Sequence, residues 1–347
     1  MTGSVDTAAR ALLVCPRDRA SLIGEGPILA CGQGHRYPVV SGIPVLLRDD
    51  VPETLWVHRR SLARAWEHVE GKTTDDFFLD TLGITEDVRN KLREARGDSG
   101  TVDPVVSHLL VATNGRLYRP LIGCISRYPI PELPMRPGTG RLLDIGCGWG
   151  RWCLAAAEKG YDVIGVDPSL GAALTAKRVA AELGVKASFV VADARYLPFV
   201  DGSFPRVFSY SVLQHFGAEN VDRSLAEVRR VLEPGGSSCI QMANSLGIRS
   251  LLVQAGRGFR DATRFEVRYW RPRSLLRWFN RRIGPTRMLA DGFFGLGVRP
   301  SDRDLLPLHY RMIVDASSLL CRASRRFPAL ARAADSLFLH SEKLASA

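Results

Sequence analysis

Between residues 141 and 243, apolar runs of strand length alternate with segments of helix length. The spacing predicts strands at 141–145, 162–166, 187–191, 206–212 and 237–243, and helices at 150–159, 169–183 and 219–232. Such alternation is the pattern of a parallel sheet covered by helices on both faces. Past residue 243 the pattern loosens. A helix is still marked at 272–283, with Pro272 in its first turn, Leu275, Leu276, Phe279 and Ile283 on one face, and Gly284-Pro285 as its stop; a strand is predicted over 286–294. The tail from about 309 to 343 reads as amphipathic helix, its apolar groups interrupted by Arg311, Arg322, Arg325, Arg326 and Arg332. It packs on the core or lies on an acidic membrane surface, with Asp315, Asp335 and Glu342 diluting its basic character. Ahead of the α/β pattern stand a compact block at 11–48 and a mostly helical connection at 51–137. That connection ends in Pro129, Pro131, Pro134 and Pro137. The predicted division is a small module at 1–50, a helical connection or cap at 51–137, an α/β domain at 138–300 and a basic helical extension at 301–347.

Composition narrows this little. With 347 residues, 46% of them hydrophobic and 24% charged, the chain is neither collagen, coiled coil nor a disordered tract. It has no run of ~20 apolar residues, and residues 1–25 lack a basic segment followed by a long apolar one, so the expected location is the cytoplasm. Seven cysteines, at 15, 31, 124, 147, 153, 239 and 321, are odd in number and scattered, as thiols of a reducing compartment are. The net charge of +11 is unevenly placed: residues 1–240 hold 28 basic and 28 acidic residues, residues 241–347 hold 19 and 8. The excess serves an anionic partner or is a solvated basic face.

The chemistry begins at 141–150, R-L-L-D-I-G-C-G-W-G, a strand that ends in Asp144 and runs through Gly146, Gly148 and Gly150 into a helix. Glycines there let the chain turn sharply and a ligand approach the backbone. A dinucleotide fingerprint G-x-G-x-x-G would need glycine at 151, where this chain has Arg151, so nicotinamide or flavin fits poorly. The next strand, V-I-G-V-D, ends in Asp167 before Pro168, where a carboxylate can accept hydrogen bonds from both hydroxyls of a ribose. Asp193-Ala194 follows the third strand, S-Y-S-V-L-Q-H-F at 209–216 follows the fourth, and R-V-L-E-P-G-G closes the next helix at 230–236. All lie at strand C-termini, the ligand edge of an open α/β sheet.

With these motifs in this order, residues 138–295 resemble a class I S-adenosylmethionine-dependent methyltransferase of the small-molecule type. The resemblance implies a Rossmann-like, doubly wound, mainly parallel seven-stranded sheet and S-adenosylmethionine as cofactor. By it, Gly146, Gly148 and Gly150 surround the methionine part, Asp144 helps hold its amino group, Asp167 binds the ribose and Asp193 contacts the adenine. Pro168, Ala194 and Tyr210 complete the candidate cofactor-binding set. One departure is L-P-F-V-D-G-S-F-P-R-V, where the family usually has aspartate after the phenylalanine and this chain has Pro205; the expected effect is on a strand entry.

Methyl transfer from a sulfonium is an in-line displacement on an activated donor, so the protein's task is to align the acceptor and exclude water. A base helps where the acceptor must lose a proton. His215, after the fourth strand, is the candidate catalytic base, with Gln214 beside it. Candidate walls for the acceptor are Asn114, Tyr118 and Arg119 in the connection, and Arg268, Tyr269, Trp270 and Trp278 farther on, aromatics and arginines that can stack on a ring or serve as core and rim.

At the N-terminus, Cys15-Pro16-Arg17-Asp18 and Cys31-Gly-Gln-Gly-His35 give two ligand pairs that can close a tetrahedral zinc site. With Y-P-V-V-S-G-I-P-V-L-L behind them, they resemble the zinc ribbons fused to many bacterial methyltransferases, which usually carry a cysteine where this chain has Asp18. The metal candidates are therefore Cys15, Asp18, Cys31 and His35. The reading is a methyltransferase of a small organic acceptor, a lipid, glycan precursor or secondary metabolite, modified on oxygen. The alternatives are an RNA methyltransferase, supported by ribbon and basic tail but lacking an N-P-P-[YF]-like or D-P-P-[YF]-like turn, and a non-catalytic cofactor-binding scaffold. The basic tail also allows peripheral contact with an anionic membrane surface.

Overall fold

The computed structural model describes residues 4–96, 102–114, 118, 125–263, 265–295 and 299–345. The chain opens with a one-turn helix α1 (Thr7–Arg10) and four short strands, β1 (Leu22–Ile23), β2 (Ile28–Cys31), β3 (Arg36–Val40) and β4 (Ile43–Leu46). Four helices follow, α2 (Val57–Val69), α3 (Phe77–Leu82), α4 (Glu86–Arg96) and α5 (Pro104–Asn114). The alternating part runs β5 (Arg141–Ile145), α6 (Arg151–Glu158), β6 (Asp162–Asp167), α7 (Leu170–Glu182), β7 (Ala187–Ala192), β8 (Phe204–Ser209), α8 (Ala218–Val231) and β9 (Leu232–Ala243). After it come α9 (Ile248–Gly256), α10 (Pro272–Arg282), β10 (Thr286–Gly292), α11 (Leu308–Arg326) and β11 (Ser336–Glu342).

Among the described residues all eleven strands form one sheet, ordered β1-β2-β3-β4-β7-β6-β5-β8-β9-β11-β10. From β7 to β9 every pairing is parallel, and β11 enters antiparallel between β9 and β10. Chain order reverses between β5 and β8: β5 pairs with β6 on one side and with β8 on the other. That switch point leaves a crevice at the strand C-termini. Strands buried on both faces explain the near-continuous apolar runs of the sequence. Leu143, Ile145 and Val207 belong to one core, with α8 and α10; Leu142, Val163 and Phe208 belong to the other, with α6 and α7.

Two expectations are corrected. The module at 1–50 is not set apart from the α/β domain, because β4 pairs in parallel with β7 (Val45 with Val191, Leu46 with Ala192) and continues its sheet. A wholly helical extension from 301 fails at its end: β11 pairs along its whole length with β9, with Leu337 and Leu339 fully buried. A short apolar run buried on both faces has no period by which to tell strand from helix. The connection carries α2 to α5, and its proline-rich described part after residue 125 contains no helix. Pro205 does disturb its strand locally, since the β8–β9 register shifts between Phe204 and Arg206.

Candidate functional site

The turn after β5 is shaped by its glycines. Gly146 has φ 76°, and a Cβ there would lie 2.1 Å from the Val212 side chain, so only glycine fits. Gly148 has φ 54° and would direct a Cβ into open space, leaving its backbone accessible at the cavity wall. The N–H groups of Gly146 and Cys147 donate to the Val166 carbonyl at 2.7 and 3.0 Å, tying the turn to β6. Gly150, at the start of α6, stays buried and does not line the cavity.

Asp167 joins the two ligand-edge turns. Its Oδ2 accepts from Gly148 N–H at 3.0 Å and its Oδ1 from Ser169 N–H at 2.9 Å, while the side chain remains at the cavity wall. Each carboxylate oxygen keeps a second lone pair for a ligand hydroxyl. Burial pushes the Asp167 carboxyl up to about 6, against the lowering effect of those two backbone donors. Pro168 lines the cavity, and its carbonyl accepts from Ser61 on α2 at 2.8 Å. Asp144 sits elsewhere than expected. It is buried behind the turn and off the wall, its Oδ2 accepts from the Cys153 thiol at 3.2 Å, and its Oδ1 has no partner. Burial, with Asp167 nearby, pushes its carboxyl up to about 7.

Asp193 and Ala194 line the same cavity. Asp193 is already engaged: the Arg195 guanidinium clamps both of its oxygens, with Nη2 to Oδ2 at 2.6 Å. Arg195 also donates to the Pro52 carbonyl at 2.7 Å, binding the turn after β7 to the segment that leads out of β4. Sequence reasoning missed Arg195, although D-A-R places it two residues after the aspartate. The cavity measures about 550 Å³. Its outer wall is apolar and comes from the helical connection, including Leu55, Trp56, Leu82, Ile84 and Leu109.

His215 lies on the wall in a short 3-10 turn, stacked on Phe265 with ring centroids 3.9 Å apart. Its Nδ1 is 2.9 Å from the Phe265 carbonyl, which only accepts, so Nδ1 carries the proton and Nε2 is the ring's acceptor nitrogen. Burial lowers its pKa to about 4, so the imidazole is neutral at pH 7. Tyr210 also lines the cavity, its hydroxyl 3.2 Å from Asp291 Oδ2. Asp291 in turn pairs with Arg299, whose guanidinium lies 5.4 Å from the Trp152 ring centre. Arg151 is a buried cation that does line the wall, donating to both oxygens of Asp302, to Oδ1 at 2.7 Å, while Tyr118 donates to the same carboxylate. Asp302 left no sequence signal because its partner Arg151 lies about 150 residues earlier, and Asp291 and Arg299, eight residues apart, left none because nothing in the local pattern marks them as buried. Of the expected acceptor walls, Tyr118, Arg268, Tyr269, Trp270 and Trp278 are off this cavity, and Arg119 and the Asn114 side chain lie outside the described residues.

The N-terminal ligand pairs converge. The donor atoms of Cys15, Asp18, Cys31 and His35 all lie within 4.8 Å of one another. His35 Nδ1 is 3.5 Å from Cys15 Sγ, 3.3 Å from Cys31 Sγ and 3.0 Å from Asp18 Oδ2. The edges of a tetrahedral zinc cage with such donors are about 3.3–3.8 Å, so the set fits zinc. The fit for S-adenosylmethionine rests on the open backbone of Gly148 and on Asp167, which lines the cavity and has a second lone pair left on each carboxylate oxygen.

Comparison with known proteins bears on the same region. Residues 142–236 match the family described as "Methyltransferase domain". The chain is 38% identical over 113 residues to a demethylmenaquinone methyltransferase of Beutenbergia cavernae, covering 32% of this chain and 43% of that one. It is 29% identical over 158 residues to a ubiquinone biosynthesis O-methyltransferase of Azorhizobium caulinodans, covering 45% and 58%. The chain thus spans about half the length of the curated relatives it matches. A solved S-adenosylmethionine-dependent methyltransferase from Methanosarcina mazei is 22% identical with a TM-score of 0.43, covering 59% of this chain and 93% of that one. The matched stretch runs from β5 into β9 and contains the glycine turn and both acidic turns.

Proposed function

We propose that the protein is an S-adenosylmethionine-dependent methyltransferase that methylates an oxygen of a small, largely apolar acceptor. The observation that carries this reading is Asp167: one carboxylate fixes the glycine turn and the start of α7, lines the cavity, and has a second lone pair left on each oxygen. When bound, the cofactor supplies a methyl group activated by a sulfonium. Asp167 holds the ribose hydroxyls, Gly146 and Gly148 leave room for the methionine part, and Ala194 and Asp193 border the adenine. The apolar outer wall excludes water and favours an acceptor of low polarity, in keeping with relatives named for menaquinone and ubiquinone.

His215 orients the acceptor. With Nδ1 committed to the Phe265 carbonyl, Nε2 accepts a hydrogen bond from the acceptor hydroxyl, and a group with a pKa of about 4 holds that proton weakly. Tyr210, held by Asp291, lines the same space. The zinc tetrad is structural on this reading, closing a segment of short strands that adds β4 to the sheet. The test is incubation with methyl-labelled S-adenosylmethionine and a cell extract separated into RNA, protein, lipid and small-molecule pools, with Asp167→Ala as control. Label in the lipid or small-molecule pool that vanishes in the variant supports the reading; label in RNA, or label unaffected by the variant, overturns it.

A further inference from the structure

The segment from β9 to α10 uses its residues in an inverted way. Helix α9 is held to the body by polar contacts: Ser250 N–H donates to Asp335 at 2.6 Å, the Gln254 amide reaches the Ser245 carbonyl at 2.9 Å, and Ser250 is its only buried residue. Its apolar side chains face water. Leu252 is 69% and Phe259 68% exposed, and Leu246, Ile248 and Leu251 are each more than two fifths exposed. A surface helix ordinarily does the reverse, and an apolar patch that the fold leaves outside marks an interaction site.

Two further observations say what covers it. Residues 246–271 hold six arginines (Arg249, Arg257, Arg260, Arg264, Arg268, Arg271) against Asp261 and Glu266, within the part of the chain that carries the whole excess of positive charge. Exposed apolar side chains on an arginine-rich stretch, in which Arg249, Arg260 and Arg271 are exposed, match an anionic lipid surface, whose acyl boundary takes the former and whose phosphates take the latter. The patch also continues into the cavity: Phe265, 47% exposed, lines the cavity wall and stacks on His215. We infer that this segment seats the protein on an anionic bilayer, with Leu251, Leu252 and Phe259 entering the acyl boundary, so that the acceptor is a lipid-soluble molecule that passes from the bilayer past Phe265. The inference rests on the reading of the cavity as a methyl-transfer site. It places the lipid contact at α9, before the C-terminal tail that the sequence first offered.

The full chain is sedimented with vesicles of phosphatidylcholine alone or with one third phosphatidylglycerol, beside the double variant Leu252→Glu/Phe259→Glu, whose exposed sites leave the fold intact. The inference predicts binding to the anionic vesicles at least about tenfold tighter than to neutral ones, loss of that binding in the variant, and unchanged affinity of both proteins for S-adenosylhomocysteine. Equal sedimentation of wild type and variant, or none with anionic vesicles, overturns it. So does a dimer of the wild type that the variant abolishes, because the patch then serves a second copy. Cofactor affinity measured on the same samples separates the two readings: vesicle binding can fail while the cofactor still binds, and only the lipid inference then falls.

Discussion

At the scale of single residues, the site divides into groups that touch a ligand and groups that hold those in place. Asp167 does both, and this has a sign that can be checked. Its carboxylate form accepts the two backbone bonds and, on the proposed reading, would accept the ribose hydroxyls, and burial pushes its pKa up to about 6. Cofactor affinity should therefore fall as pH drops from 7 to 5, and a titration calorimetry series should show that slope flattened in Asp167→Asn. At pH 7.5, Asp167→Ala should weaken binding about 10- to 100-fold, the scale of one or two charge-assisted hydrogen bonds. Asp144 has the opposite bearing on stability. Its folded pKa of about 7 stands above the ordinary carboxylate value, so its contribution is full below about pH 4 and is lost as pH rises through 7. Asp144→Asn should thus be more stable than wild type at pH 8, by about 1–3 kcal/mol, with the gap closing toward pH 4 in urea melts. Gly146, Asp167, Asp193 and His215 were legible in the sequence because each follows a strand by a short, motif-bearing turn. The Arg195 clamp and the position of Asp144 behind the turn were not, since burial and partner choice are set by packing.

At the scale of elements, two buried ion pairs lock late parts of the chain to the cavity. Arg151, at the start of α6, pairs with Asp302 in the turn before α11, and Arg299 with Asp291 at the end of β10. Removing one partner leaves a buried charge unpaired. Arg151→Leu should cost about 3–5 kcal/mol in denaturant unfolding, and Arg151→Leu/Asp302→Leu should recover most of it. Full additivity in that double-mutant cycle would show that the pair does not interact. The helices and strands of 141–243 were read from the sequence to within a few residues, except that β9 starts at Leu232, five residues before its predicted start. Their apolar runs are long and separated by turns. β11 was missed because its L-F-L core carries no period, and its partner β9 lies about a hundred residues earlier.

At the scale of the whole molecule, the N-terminal module and the α/β domain are one sheet joined at β4 and β7, and Arg195 bonds the chain leaving β4 beside the cavity. Zinc in the Cys15, Asp18, Cys31, His35 tetrad should therefore matter beyond its own segment. Elemental analysis should find one zinc per chain, and Cys31→Ser should lose it and lower Tm by several degrees; an unchanged metal content in that variant would contradict the assignment. The ligands of this site were legible as two spaced pairs, but their convergence and their tie to the cavity were visible only in the fold. Among the described residues no helix is long and apolar enough to cross a membrane. The central claim is that the crevice at the β5–β8 switch point takes S-adenosylmethionine. Its most direct test is equilibrium binding of S-adenosylmethionine to the purified protein beside Asp167→Ala, with folding of both checked by circular dichroism. The account predicts saturable binding at one site per chain, weakened at least about tenfold in the variant. No binding to the folded wild type, or equal binding by the two proteins, would contradict it.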